Sequence, residues 1–227
     1  MRKRIFNWLD HEFIELSGEA TPGADASAEA RELFQRFDGE LRSHGLSLDS
    51  TVRSRLWGRD RASRDAGSNE RVKILSGKAR SASSSYIAPG HFDSLAKVAV
   101  DLLAMRPARA ELEKQIVEYV PAIVPIRFLV YDSVVVLSGV TTVLPTLAEQ
   151  FDNILPRITG SLSDAGSSWD KVAQVSFYFH RSQDLANLKT LFSKRVTAKT
   201  IPRLEYVVVD GYSSEGKFCE VEVTATR

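Results

Sequence analysis

Apolar residues follow two rhythms along this chain. In DKVAQVSFYF (residues 170–179), Ala173, Val175, Phe177 and Phe179 alternate with Val172, Gln174, Ser176 and Tyr178. A period of two predicts a strand, and the unequal faces predict a sheet covered on one side. In SAEARELFQRFDGELRSHG, Ala30, Leu33, Phe34, Phe37 and Leu41 recur at steps of three and four. That spacing predicts a helix, with Gly45 as its C-cap. LAEQFDNILPRITGSLSDAG repeats the pattern with Leu147, Phe151, Ile154, Ile158 and Leu162, followed by Gly166. Pro156 inside it predicts a kink. DLANLKTLFSKRV carries Leu185, Leu188, Leu191 and Phe192 on one helical stripe, while FIEL, SVVVL, RLEYVVVDG and KFCEVEVTAT read as short strands.

These elements occur twice. EFIELSG ends at Ser17-Gly18 and SVVVLSG at Ser138-Gly139, an offset of 121. The same offset relates Gly39 to Gly160, Leu41 to Leu162, Gly45 to Gly166, Asp49 to Asp170 and Asp101 to Glu222. A single register held from end to end predicts two copies of one unit. Each copy reads β-α-β-α-β-β, with an extra leading strand at RFLVYD in the second. The fold class is therefore α+β, with helices on one face of a mixed sheet. The expected domains are residues 1–115 and 116–227. They are joined by a linker, Arg106 to Pro125, that holds three prolines and a short helix. Helices cover only one sheet face, so the other face predicts a homo-oligomer or a pseudo-oligomer in which the sheets of several units pack together, with three chains carrying six units favoured.

Composition narrows the function classes. The 227 residues carry 30 Lys+Arg against 29 Asp+Glu, a formal net charge of +1, which offers no global attraction for nucleic acid or anionic membrane. The single cysteine, Cys219, excludes an internal disulfide. With an N-terminus too polar for a signal peptide, this predicts a reducing, cytoplasmic setting. No stretch approaches the ~18 apolar residues of a membrane span. His11, His44, His91 and His180 are scattered, so no metal is expected. Cys219 reads as a small buried hydrophobe, and Trp8, Trp57 and Trp169 as core or interface. The basic run RSRLWGRDRASR (Arg53 to Arg64) reads as a solvated face.

Several motifs of the second copy together resemble the RidA (YjgF) family of enamine/imine deaminases. They are VVVLSG, a helix ending in DAG, WDKVAQVSFYF, Pro202-Arg203 and CEVEVTA. The resemblance covers residues 126–227, and residues 5–105 share it more weakly through LSG, SHG, KARSASSSY and VAVDLLAM. It implies chorismate-mutase-like α+β units, trimeric assembly and ligand clefts between neighbouring units. It also implies an arginine that clamps a substrate carboxylate, a glutamate on the last strand that directs water, and chemistry without metal or cofactor. Carried over by position, Arg203 is the clamp and Glu220 the water-directing residue, with Glu222 two residues later. Ser138 and Gly139 form the pocket-lining turn, and Arg80 is the clamp position of the first copy. The offset places Ala99 opposite Glu220, so the first copy lacks that carboxylate, while Asp101 matches Glu222. The tyrosine that the family carries before its first strand is absent, with Pro125 or Ile126 in its place in one copy and Arg4 or Ile5 in the other.

The chemistry of these residue types agrees. A guanidinium offers two parallel donors to a carboxylate. A carboxylate on a neighbouring strand can accept a proton from attacking water and return it to a leaving amine. The expected function is a hydrolase or deaminase acting on a small carboxylated imine, enamine or related intermediate, with the site completed across an interface. A specialised catabolic or biosynthetic hydrolase of the chorismatase type and a non-catalytic carboxylate-binding protein are the alternatives. RNA cleavage, ascribed to some relatives, is disfavoured by the balanced charge. Glu220 and Glu222 could equally be solvated residues flanking Val221 and Val223, or Arg203 could pair with Glu220. The run Ser83–Ser85 reads as a polar pocket wall or an edge strand.

Overall fold

A computed structural model describes residues 1–197 and 201–227. Its helices begin where a side-chain oxygen can take up a free backbone N–H. Asp25 accepts from Ala28 N at 2.8 Å at the start of α1 (Ala26–Ser43). Asp60 accepts from Ser63 N at 2.7 Å ahead of α2 (Arg61–Ile74). Thr146 and Glu149 cap one another's backbone at the start of α3 (Leu147–Asp164), and Asp184 caps α4 (Leu185–Arg195). Beyond the ends of α1 and α3, Gly45 and Gly166 adopt φ of +69° and +74°, a left-handed geometry that other residues resist. The repeat therefore extends to backbone conformation. Pro156 lies inside α3, which continues through it to Asp164.

The first sheet comprises β1 (Arg2–Trp8), β2 (His11–Glu19), β3 (Thr51–Gly58), β4 (Ala82–Ile87) and β5 (Val98–Met105), in the order β1-β2-β5-β3-β4. The second comprises β6 (Gln115–Val117), β7 (Phe128–Tyr131), β8 (Val134–Thr141), β9 (Val172–His180), β10 (Arg203–Val209) and β11 (Cys219–Thr226), in the order β10-β9-β11-β8-β7-β6. Each sheet has one parallel pair, β3–β4 or β9–β10, connected through α2 or α4, and its remaining pairings are antiparallel. In the linker a short strand, β6, stands where a helix was expected. Among the described residues no helix is long and apolar enough to cross a membrane.

Each helical layer buries the apolar stripe read from the sequence. Leu33, Phe34, Phe37 and Leu41 pack on the first sheet, and Phe151, Ile154, Ile158 and Leu162 on the second. The other faces of the two sheets pack against each other. Phe13, Val52, Leu103 and Met105 meet Leu129, Val134 and Val136 at one end, while Trp57 and Tyr86 meet Tyr178 and Tyr212 at the other. Gln174 and Ser176, on the more polar face of β9, are buried as a result. The one-sided covering expected for this strand is corrected: unit one covers its second face. The basic run also departs from expectation. Arg53 and Arg55 alternate on β3 toward the second unit and are buried at 7% and 6% exposure, and Arg55 meets the carboxylates of Glu205 and Glu222 there.

Candidate active site

A cleft of about 370 Å³ opens where the two units meet. The first unit supplies α2 and the serine run of β4, and the second supplies Gly139, Thr141, Arg157, Lys217 and Glu220. Tyr119, Ile123, Val124 and Pro125 from the linker complete its wall. Ser83, Ser84 and Ser85 thus line a pocket from a strand. Gly139 is required at its position. A β-carbon there would lie 2.6 Å from the carboxyl carbon of Glu220, so the absent side chain is the space the carboxyl fills.

Glu220 pairs with Thr141 on β8 and with Tyr178 on β9, in the middle of the second sheet. It is 7% exposed. Burial pushes its carboxyl up to about 7, Lys217 opposes the rise, Glu222 adds to it, and a hydrogen bond from Tyr86 and the charge of Arg64 oppose it. A carboxyl poised near neutrality exchanges its proton readily at physiological pH. The cleft surrounding this one carboxyl is cationic: Arg64, Arg71, Arg157 and Lys217 all line it. Arg71 is engaged by β4, donating to Ser84 O and Ser85 Oγ. Arg157 donates to Thr141 O at 2.9 Å, and Lys217 to Ser213 Oγ at 2.6 Å, which leaves each with further donors.

Behind Glu220 lies a buried network that spans both units. The Tyr86 hydroxyl of β4 stands 3.2 Å from Glu220 Oε1 and 3.3 Å from Glu222 Oε1. It carries one proton and so donates to one of the two at a time. Glu222 accepts from Arg55 Nε at 2.8 Å and from the Ser84 hydroxyl. Burial acts to raise the Glu222 carboxyl, but Arg55, with Arg53 behind it, holds it below the usual carboxylate range. Tyr86 stacks on Tyr178, with ring centroids 4.2 Å apart, and that packing fixes its hydroxyl.

The residues anticipated from the sequence fall in several places. Glu220 and Gly139 line the cleft together. Ser138 is buried beside them and accepts from Ser83 N at 3.1 Å, joining β8 to β4 across the units. Glu222 is drawn out of the cleft into its ion pair with Arg55. Arg80 is held by Glu118 of the linker and lines an adjoining cavity of about 210 Å³ instead. Arg203 stands apart from Glu220 in this chain. It pairs with Gln174, whereas Glu220 pairs with Tyr178, and the two flank opposite sides of β9 near opposite ends. Arg203 is half exposed and lies 3.4 Å from Glu205, outside the cleft lining. In this chain the guanidinium groups that share the cleft with Glu220 are those of Arg64, Arg71 and Arg157. Cys219 is fully buried, and burial pushes its thiol far up, so it is no nucleophile.

Tyr86, Arg64, Arg157 and Lys217 were not singled out from the sequence. A signal existed for Tyr86 alone: alternation along the run SSSY places Ser84 and Tyr86 on one face of a strand. The cationic residues come from a helix, another helix and a loop that only the folded chain brings together.

No protein-family model and no curated protein matches the sequence. Among solved structures, a chorismatase superposes on 95% of this chain and 75% of its own, with a TM-score of 0.67 and 16% identity. The fold is shared with chorismatase. A YjgF/YER057c/UK114-family protein from Mycobacterium tuberculosis covers 51% of this chain and 100% of its own, at 21% identity and a TM-score of 0.44. A YjgF-family protein from Neisseria meningitidis covers 51% of this chain and 95% of its own, at 21% identity and a TM-score of 0.46. The likeness to chorismatase runs through both units and the linker between them.

Proposed function

We propose that the chain is a hydrolase or deaminase for a small carboxylated molecule held in the inter-unit cleft, with Glu220 as the proton-transferring group. The observation that carries this reading is the placement of Glu220, a buried carboxyl lifted to about 7 at the wall of a cationic cleft. Arg157, Arg64 and Lys217 would anchor the substrate carboxylate, a role the sequence resemblance gave to Arg203. Glu220 would accept a proton from attacking water and deliver it to the leaving nitrogen or oxygen. Such general acid–base assistance is worth about 10²–10⁴-fold.

Two substrate types follow. The sequence resemblance supports a 2-imino or 2-enamino acid hydrolysed to the keto acid. The fold likeness across 95% of the chain favours a chorismatase-type hydrolysis as the second reading. The test offers the purified protein chorismate and, in parallel, imines generated in place by an amino-acid oxidase, with release of keto acid, ammonia or pyruvate followed. Glu220→Gln keeps the shape and removes the base, so turnover should fall by about 10²–10⁴ while ligand affinity stays within a few fold. Turnover unchanged in Glu220→Gln would refute the role of this residue. Binding without turnover of either substrate would replace the enzyme by a carboxylate-binding protein.

A further inference from the structure

Among the described residues, the Tyr86 hydroxyl is the one group that donates a hydrogen bond to the Glu220 carboxyl. Arg64, Arg71, Arg157 and Lys217 share the cleft with that carboxyl, but their hydrogen bonds go to Asp65, Ser84, Thr141 and Ser213. On its closed side Glu220 pairs with Tyr178 of β9, and the Tyr212 hydroxyl donates to Tyr178 O at 2.9 Å. The Cys219 thiol is fully buried, and alternation along β11 places it on the opposite face. Tyr86 is itself fully buried, its ring held against Tyr178 and Trp57 at centroid distances of 4.2 and 5.3 Å. The freedom that remains to its hydroxyl is rotation about the bond to the ring.

The repeat supplies an independent observation. Tyr86 pairs with Trp57 on β3, and at the offset of 121 Val207 pairs with Tyr178 on β9. Ala99 holds the position of Glu220 at the same offset. The chain thus brings carboxyl and phenol together at one junction and carries apolar residues at both counterpart positions. The two carboxylates within reach of the phenol differ in what else they hold. Glu222 keeps Arg55 Nε at 2.8 Å and the Ser84 hydroxyl whichever way the phenol points. Glu220 has no substitute donor, and an ionised carboxylate buried without one is strongly unfavourable. A protonated Glu220 can instead donate to the phenol oxygen, which releases the phenol proton to Glu222.

We propose that Tyr86 is a positioning residue for Glu220, its hydroxyl turning toward Glu220 when that carboxyl is ionised and toward Glu222 when it is protonated. This rests on Glu220 as the proton-transferring group of the cleft. When Glu220 takes a proton from attacking water, Tyr86 turns to Glu222; when Glu220 delivers that proton to the leaving atom, Tyr86 turns back. The phenol keeps its own proton throughout, because burial and the two carboxylates push its ionisation far up.

The experiment follows the Glu220 carboxyl itself, by carbon-13 NMR of the whole chain labelled at its glutamate carboxyl carbons. The Glu220 resonance is assigned by its absence in Glu220→Gln. Its titration midpoint, about 7 in the wild type, should rise by about one pH unit in Tyr86→Phe, which keeps the ring stack and removes the donor. Ser84→Ala is the second variant, for the case in which Tyr86→Phe does not fold. It takes a donor from Glu222 and so draws the phenol to that side, and the Glu220 midpoint should again rise. The titration needs no substrate, so it decides the role of Tyr86 even where chorismate and imines are both inert. Where one of them is turned over, the limb of kcat/KM that reports ionised Glu220 should move with the midpoint. A midpoint that moves without that limb would support Tyr86 and remove Glu220 from the reaction. An unchanged or lowered midpoint in Tyr86→Phe, or in Ser84→Ala where that variant alone folds, would overturn the proposal.

Discussion

Arg55 and Ser176 are the same position in the two copies, 121 residues apart, and they touch: Arg55 Nη2 donates to Ser176 Oγ at 3.2 Å. The flanking positions obey the same relationship, with Arg53 facing the region of Gln174 and Trp57 that of Tyr178. The units thus meet through equivalent positions. Identical residues there would face themselves, and two arginines would repel. Divergence between the copies is a condition of their packing. Ser176→Arg should set one guanidinium against another across a buried interface and prevent the units from closing, read as loss of the cooperative unfolding transition.

The ion pair beside this contact gives a second prediction. Glu222→Ala leaves Arg55 buried without its main partner and should lower stability by about 3–5 kcal/mol, measured by urea denaturation. Replacing both residues together, as Arg55→Met with Glu222→Met, should recover a large part of that loss, because the charge is removed along with its counter-charge. A double variant as unstable as Glu222→Ala would show that the pair does more than balance its own burial.

Glu220 gives a pH signature that needs no substrate. Its carboxyl holds a proton to about pH 7 in the folded chain, against an ordinary value of 4.5. Between these values unfolding releases a proton, so ionisation of Glu220 erodes stability as pH rises from the lower to the upper value and no further above it. Relative to Glu220→Gln, the wild type should therefore weaken across that window by at most about 1.4 kcal/mol per pH unit. Glu222, held below its usual range, acts in the opposite sense and contributes only on acidification. Parallel pH–stability curves for the wild type and Glu220→Gln would contradict the raised Glu220 carboxyl.

Gly139 and Gly39 make a controlled pair. A methyl group at Gly139 collides with the Glu220 carboxyl, whereas nothing lies within 4 Å at Gly39 on the exposed part of α1. Gly139→Ala should cost about 1–3 kcal/mol and displace the carboxyl from the cleft, with loss of turnover. Gly39→Ala should stabilise by about 0.5–1 kcal/mol and leave ligand binding unchanged.

Arg157 and Arg203 separate the cleft seen in the fold from the clamp expected from resemblance. Calorimetric titration with a small carboxylate that occupies the cleft should show Arg157→Ala weakening affinity about tenfold or more and Arg203→Ala within twofold. The reverse order would return the carboxylate to Arg203, and with it a site formed between chains.

The sequence made the repeat legible because a fixed offset survives even where side chains change. It also made each helix legible, because Leu33, Phe37, Ile154 and Ile158 must face a core. Glu220 and Gly139 were reachable by position within the second copy. What period and spacing could not supply was the relation between units. The polar side of β9 looks solvated in one dimension, yet Gln174 and Ser176 are buried by a strand more than a hundred residues away. Arg53 and Arg55 read as surface charge for the same reason. Arg203 stands apart from Glu220 because the two flank opposite sides of β9 near opposite ends, a relation that position within a motif does not give.

The linker also takes part in the cleft wall, through Tyr119, Ile123, Val124 and Pro125. In an assembly of identical units, one codon sets both the wall of one cleft and the base of the next, so neither can be altered alone. Once the units are fused, those positions are inherited separately. Ala99 can stand where its counterpart keeps Glu220, and the serine run of β4 can be reshaped without touching β10. The tether thus turns a symmetric scaffold into one whose two halves evolve under different constraints, and gives mutation access to ligand shapes that a symmetric ring excludes.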